Sequence, residues 1–169
     1  MELASTIKST FEPVVQTHLY PRSQIDIYVQ VLQQDGGLLQ ACINGTTLAL
    51  ITAGIPLSDF VCAITGGVQS ASPLLDLTSL EETDVPSMTV AVMPKSGKVT
   101  LVALENRLHV DRFEETFRLA CEAGKVLHKK MRAAVQGRTS SLVMAMGSGA
   151  PGELANWDPE SSENQMNMS

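Results

Sequence analysis

Asp35-Gly36-Gly37 is the first stretch of the chain whose residue types could do chemistry. Two glycines ahead of an apolar helical pattern leave backbone N–H groups open at a helix N-terminus, where the aligned peptide dipoles favour an anion such as phosphate. The same residues also make a plain strand-to-helix turn, and both readings stand at this point. Glu81, Glu82 and Asp84 form a second candidate, an acidic loop whose carboxylates could bind a divalent ion or serve as general acid and base. Acid clusters in loops are more often simply solvated, and no matching ligands stand elsewhere. His18, His109 and His128 are isolated from any readable nucleophile or orienting partner. Cys42, Cys62 and Cys121 are odd in number, widely spaced and set in apolar surroundings, so they read as core thiols of a reducing compartment rather than a disulfide frame. Gly147-Ser148-Gly149-Ala150-Pro151-Gly152 matches G-x-G-x-x-G formally, but no strand feeds it and Pro151 interrupts it.

The elements that must position these residues follow from periodicity. In residues 23–31, Ile25, Ile27, Val29 and Val31 alternate with Asp26, Tyr28 and Gln30, which predicts a strand with one face on a core. After the turn, Leu38 to Ala53 is apolar nearly all the way round, predicting a buried helix that Gly54 and Pro56 terminate. Upstream, Leu3, Ile7, Phe11 and Val15 recur every four residues, predicting a helix over Glu2 to His18 that Pro13 bends or ends near residue 12. Downstream, residues 59–69 read as a buried strand whose Gly66-Gly67 marks a bulge or a close backbone approach, and residues 73–77 as a short extended piece. Met88 to Met93 and Lys98 to Leu104 read as a hairpin. Asp111 with Glu114 resembles a capping box opening a last helix, and Lys125, Lys129, Lys130 and Arg132 are placed toward that helix's C-terminal half, as the macrodipole favours.

The 169 residues fit one domain plus a tail, and 44% hydrophobic with 18% charged residues is ordinary for a globular chain. No apolar run reaches the roughly 18 residues of a membrane span, so a soluble intracellular protein without membrane partners is expected. The net charge of −6 is uneven: from Thr139 onward there are four acids and no Lys or Arg, leaving 14 acids against 12 bases in the body. Global charge therefore gives no sign of nucleic-acid binding. The expected division is a folded domain over 1–138 and a disordered acidic tail over 139–169.

Taken in order, PRSQIDIYVQVLQQDGGLLQACINGTTLALITAGIP, DFVCAITGG, PLLDLTSLEE, MTVAVMP and the capped last helix resemble the RNase PH-like ring subunits of the eukaryotic RNA exosome. Among these the chain is most similar to the subunit related to the catalytic ring subunit of the archaeal exosome. The resemblance runs from about Glu2 to Arg138. It implies an α+β RNase PH-like fold (ribosomal protein S5 domain 2-like), incomplete at the N-terminus. Full-length relatives carry, before Glu2, the first strands of the fold and an arginine pair that contacts RNA.

In active phosphorolytic relatives the Asp-Gly-Gly turn is followed by Thr-Arg or Ser-Arg, whose hydroxyl and guanidinium hold the attacking phosphate. Here Leu38 and Leu39 stand there, and an aliphatic pair supplies neither donor nor charge. The family's catalytic aspartate falls on Ser87 when the chains are aligned on Met88 to Pro94; sliding by three residues to use Asp84 leaves the leucines unexplained. The resemblance thus implies a non-catalytic subunit without cofactor or metal, in a six-member ring that threads RNA to a separate hydrolytic nuclease. The implied partners are other RNase PH-like subunits, S1-type cap subunits, the nuclease and the RNA backbone; the implied places are nucleus, nucleolus and cytoplasm. Arg22 is the expected RNA contact, with a structural ion pair as its alternative. An active phosphate-dependent 3′-to-5′ exoribonuclease is the rival reading.

Overall fold

The computed structural model describes residues 3–69, 72–106 and 109–146. The chain divides into two units, Met1–His128 and Lys129–Ser169. Helix α1 (Leu3–Phe11) leads into a single 3₁₀ turn (Thr17–Leu19), and α2 (Leu38–Thr52) follows. Then come β1 (Cys62–Gln69), β2 (Ser72–Leu75), the short α3 (Ser79–Asp84), β3 (Ser87–Met93), β4 (Lys98–Glu105) and α4 (Val110–Ala145). The stop signals act as their chemistry requires. α1 ends two residues before Pro13. Gly54 takes φ +74 just past α2, while the Ile55 N–H returns to the Leu50 carbonyl at 3.0 Å, closing the helix end.

The four strands form one antiparallel sheet in the order β2-β1-β3-β4. Gly66 and Gly67 lie in register with Met88 and Ser87 on one side and with Leu75 and Leu74 on the other, so they mark close approach and not a bulge. The sheet's irregularity falls instead at Ala91/Val92 in β3. On one face, Ala63 and Ala91 join Phe11, Val14, Ile43, Leu50 and Val61 in a closed core beneath α1 and α2. On the other face, α4 comes so near that a Cβ on Gly124 would sit 2.5 Å from Val92 Cγ2, and Thr116 lies against Gly66. The Asp59 carboxylate accepts the Lys95 and Ser96 N–H groups at 3.0 and 2.9 Å, tying the β3–β4 turn to the start of β1.

Three sequence-based expectations are corrected. Residues 23–31 form no ladder, because a strand needs a neighbour for its N–H and C=O groups and none is offered among the described residues. Residues 81–84 are helical and not a loop. α4 starts at Val110, placing Asp111 inside its first turn, and continues to Ala145, so seven residues assigned to the tail are helical. Thr139 and Ser141 return their hydroxyls to the carbonyls four residues back, which lets them remain in the helix. The greater length also puts Lys125 to Arg132 in mid-helix, so the macrodipole does not account for them. Residues 147–169, including the glycine-rich match, lie outside the described residues.

What joins α2 to the sheet is a polar seam. Among the described residues, β2 pairs only with Gly66 to Gln69, so the first half of β1 has an edge without a strand partner there. α2 supplies that partner from side chains at i, i+4 and i+7. The Gln40 carbonyl accepts the Thr65 N–H at 2.5 Å, Asn44 both donates to the Ala63 carbonyl and accepts the Ala63 N–H at 2.8 Å, and the Thr47 hydroxyl donates to the Val61 carbonyl at 2.8 Å. Ala63 is fully buried, so water cannot substitute for Asn44. Replacing Asn44 by Leu strands two buried backbone groups, and urea unfolding is expected to show a loss of about 2–4 kcal/mol; a variant as stable as the wild type would show that the seam is dispensable.

Candidate functional site

The glycine turn is built to be tight. Gly36 has φ +83 and Gly37 φ +58, both left-handed. A Cβ on Gly36 would collide with the Leu77 carbonyl oxygen and the Thr78 backbone, so the turn presses on the β2–α3 connection with no room for a side chain. α3 answers with polar groups. The Ser79 hydroxyl donates to Asp35 Oδ1 at 3.0 Å, and the Gly37 N–H donates to Glu82 Oε1 at 2.8 Å. An internal carboxylate therefore holds the α2 N-terminal amide that an external anion would otherwise use. Gln40 closes the arrangement, its Nε2 donating to Asp76 Oδ1 at 2.6 Å while its Oε1 serves the seam.

The other carboxylates of α3 are accounted for in the same way. Glu81 Oε2 accepts the Thr78 N–H and the Thr78 hydroxyl, each at 2.9 Å, and the backbone hydrogen bond foremost, then the hydroxyl, holds its carboxyl below the usual glutamate range. Thr78-x-x-Glu81 is the spacing of a capping box, a legible signal that these acids open a helix. Asp84 is exposed at the end of α3. Among the described residues, no group of three His, Cys, Asp or Glu side chains is arranged to hold a metal ion.

Leu38 and Leu39 occupy the first turn of α2. Leu38 lines an apolar groove beneath α1, and Leu39 packs against the closed core. Ser87 is buried at the start of β3, opposite Gly67. Leu77 links the two places, with its carbonyl over Gly36 and its side chain beside Gly67. The positions that the resemblance assigns to phosphate and to the catalytic acid thus flank one connection, and all three carry side chains without charge. Arg22 is exposed, with φ +63, and no ion pair holds it among the described residues.

Cys42 and Cys62 are buried and Cys121 is half-buried, none of them in a disulfide. Burial, with a smaller push from Asp59, raises the Cys62 thiol to about 12, which keeps it protonated and unreactive at neutral pH. His128 packs edge-on against Phe60, with ring centroids 4.8 Å apart. No described helix is long and apolar enough to cross a membrane.

Residues 1–56 match the 3′ exoribonuclease family, domain 1, and residues 59–123 match its domain 2. The chain belongs to the RNase PH family. Among its relatives, the exosome complex component ski6 of Schizosaccharomyces pombe is 46% identical over 130 residues, covering 77% of this chain and 54% of that protein. The exosome complex component RRP41 of Mus musculus is 40% identical over 147 residues, covering 86% of this chain and 60% of that protein. This RNase PH-family chain thus spans little more than half the length of the curated relatives it matches. The crystal structure of rice (Oryza sativa) Rrp46 superposes with a TM-score of 0.76 at 23% identity, covering 80% of this chain and 65% of that one, and shares the α+β fold.

The polar partners of the turn, Glu82, Ser79 and Gln40, are the functional-site residues that periodicity alone did not assign. A polar residue every three or four positions along an otherwise apolar helix was the available sign for Gln40. For Glu82, truncation to Ala removes a charge-assisted, partly buried acceptor, and urea unfolding is expected to report a loss of about 1–2 kcal/mol, with Glu82→Gln losing less. Equal stability of all three proteins would show that the Gly37 amide does not need this carboxylate.

Proposed function

We propose that this chain is a non-catalytic, structural member of an exosome ring, supporting 3′-to-5′ RNA processing and degradation by helping to thread RNA to a separate hydrolytic nuclease. The observation that carries this reading is the chemistry around the glycine turn. Phosphorolysis needs an oriented phosphate and an acid or metal to assist the leaving oxygen. Leu38 and Leu39 offer neither hydroxyl nor guanidinium, Ser87 offers no carboxylate at neutral pH, and Glu82 presents negative charge to the one turn amide best suited to an anion. A phosphate arriving there meets repulsion in place of a cradle.

Membership of a ring is supported by the relatives named as exosome complex components. On this reading its partners are other RNase PH-like subunits, S1-type caps, the nuclease and the RNA backbone, and its places are nucleus, nucleolus and cytoplasm. RNA is held through phosphates without sequence preference, and Arg22 is the contact assigned to this chain.

Purified protein, alone and paired with a ring neighbour, is to be incubated with 3′-labelled poly(A) and inorganic phosphate. No phosphate-dependent nucleoside diphosphate is expected; its release would establish the active phosphorolytic reading instead. For Arg22, substitution by Ala in an assembled ring is expected to weaken poly(A) binding by a few-fold and to reduce the salt slope by about one. An unchanged slope would remove Arg22 from the RNA path.

A further inference from the structure

The first half of α4 carries the mixed charges of an ordinary solvated helix, and the second half does not. Glu114, Arg118 and Glu122 follow one another at four-residue spacing, so each has its opposite sign one turn away. From Ala123 to Met146 the chain carries Lys125, Lys129, Lys130, Arg132 and Arg138 and no Asp or Glu. All five bases are exposed. Lys125 and Lys129 stand four residues apart, and Lys129 and Arg132 three, spacings at which like charges repel. The C-terminal end of the helix does not offset them, because the run from Lys125 to Arg132 lies well before Ala145, where α4 ends. The match to the family's domain 2 stops at residue 123, so the basic run lies beyond it.

The counter-charge is in the same chain. From Thr139 onward the charged residues are Glu153, Asp158, Glu160 and Glu163, all within residues 153–163 and with no Lys or Arg among them. Blocks of opposite sign joined by a short tether meet at high effective concentration. The reach is ample: Arg132 and Asp158 each lie 13 residues from Ala145, one back along the helix and one forward. Thirteen residues of helix span about 20 Å, whereas the same number fully extended span up to about 43 Å. A second copy of this chain is the poorer occupant, because its acids would have to displace acids already tethered beside the helix. An RNA backbone carries the same sign but lacks the tether. We propose that residues 153–163 fold back along α4 and are held there by Lys129, Lys130 and Arg132, so that the chain covers its own basic run and withholds it from other polyanions. This holds whether or not the chain is catalytic.

The full chain reports on this contact by itself, because Trp157 is its one tryptophan and lies inside the acidic segment. In dilute buffer, acrylamide quenching of Trp157 is expected to be at least about twofold weaker than in about 1 M NaCl, where charges more than about 3 Å apart are screened. Neutralising the four acids together, as Glu153→Gln, Asp158→Asn, Glu160→Gln and Glu163→Gln, leaves α4 untouched and is expected to bring quenching in dilute buffer to the high-salt level. Lys130→Glu with Arg132→Glu is expected to expose Trp157 in the same way, and adding Asp158→Lys and Glu160→Lys to that protein is expected to restore the protection. The proposal is overturned if the neutralised tail is quenched like the wild type, or if reversing both signs fails to restore what reversing one removes. Protection that grows with protein concentration would assign the helix to a second copy and overturn it as well. Quenching that is the same at both salt concentrations also overturns it; if poly(A) then binds the wild type and not the Lys130→Glu/Arg132→Glu protein, the basic run belongs to an RNA backbone instead.

Discussion

Everything in the body of this protein depends on the seam between α2 and the open half of β1. The seam solves a definite problem: a strand that lacks a strand neighbour over part of its length must have its backbone groups satisfied by something else, or it cannot be buried. Gln40, Asn44 and Thr47 do this from one stripe of a helix whose other positions are apolar. Because the stripe is spaced at i, i+4 and i+7 and the extended chain is read at every second residue, from Val61 just before β1 to Ala63 and Thr65 within it, helix and strand can engage in only one register. Apolar packing alone would leave α2 free to slide. The hydrogen bonds fix where the α2 N-terminus stands, and so fix the glycine turn against α3.

That dependence orders the rest. With α2 held, Gly37 lies beside Glu82, Gly36 lies against the Leu77 carbonyl, and the same Leu77 side chain reaches Gly67 opposite Ser87. The turn, the β2–α3 connection and the start of β3 form one interlocked patch, made of backbone contacts that tolerate no added Cβ and hydrogen bonds that carry charge. In chemical terms it combines a glycine backbone of the kind that anion sites use with uncharged side chains at 38, 39 and 87.

Much of this was legible in the sequence, for reasons that can be named. The helix over 38–52 was carried by its length and by Gly54 and Pro56, and the β3–β4 hairpin by β-rich runs either side of Ser96-Gly97. Local chemistry decides such elements. Residues 23–31 show the converse: alternation of Ile25, Ile27, Val29 and Val31 was read correctly as a pattern, yet a pattern makes a strand only when another strand is present to pair with it. The acids at 81–84 were misread because composition was weighed above spacing, although Thr78 and Glu81 stood at the separation that starts a helix. Helix α4 outran its expected end because the tail was assigned from composition and lack of period beyond Arg138, whereas Thr139 and Ser141 stay helical with their hydroxyls on carbonyls of the turn before. The exclusion of phosphate-handling groups at 38 and 39 needed only residue identity, while the role of Glu82 needed coordinates, since 45 residues separate it from Gly37.

The carboxylate beneath the glycine turn also bears on how such a chain can change over time. Placing a hydroxyl and a guanidinium at 38 and 39, singly or together, would still leave a negative group bonded to the Gly37 amide. Replacing Glu82 first removes a fastener of the turn while the leucines still offer nothing in return. On the proposed reading, any single substitution at 38, 39 or 82 therefore leaves at least one of the obstacles to an anion in place.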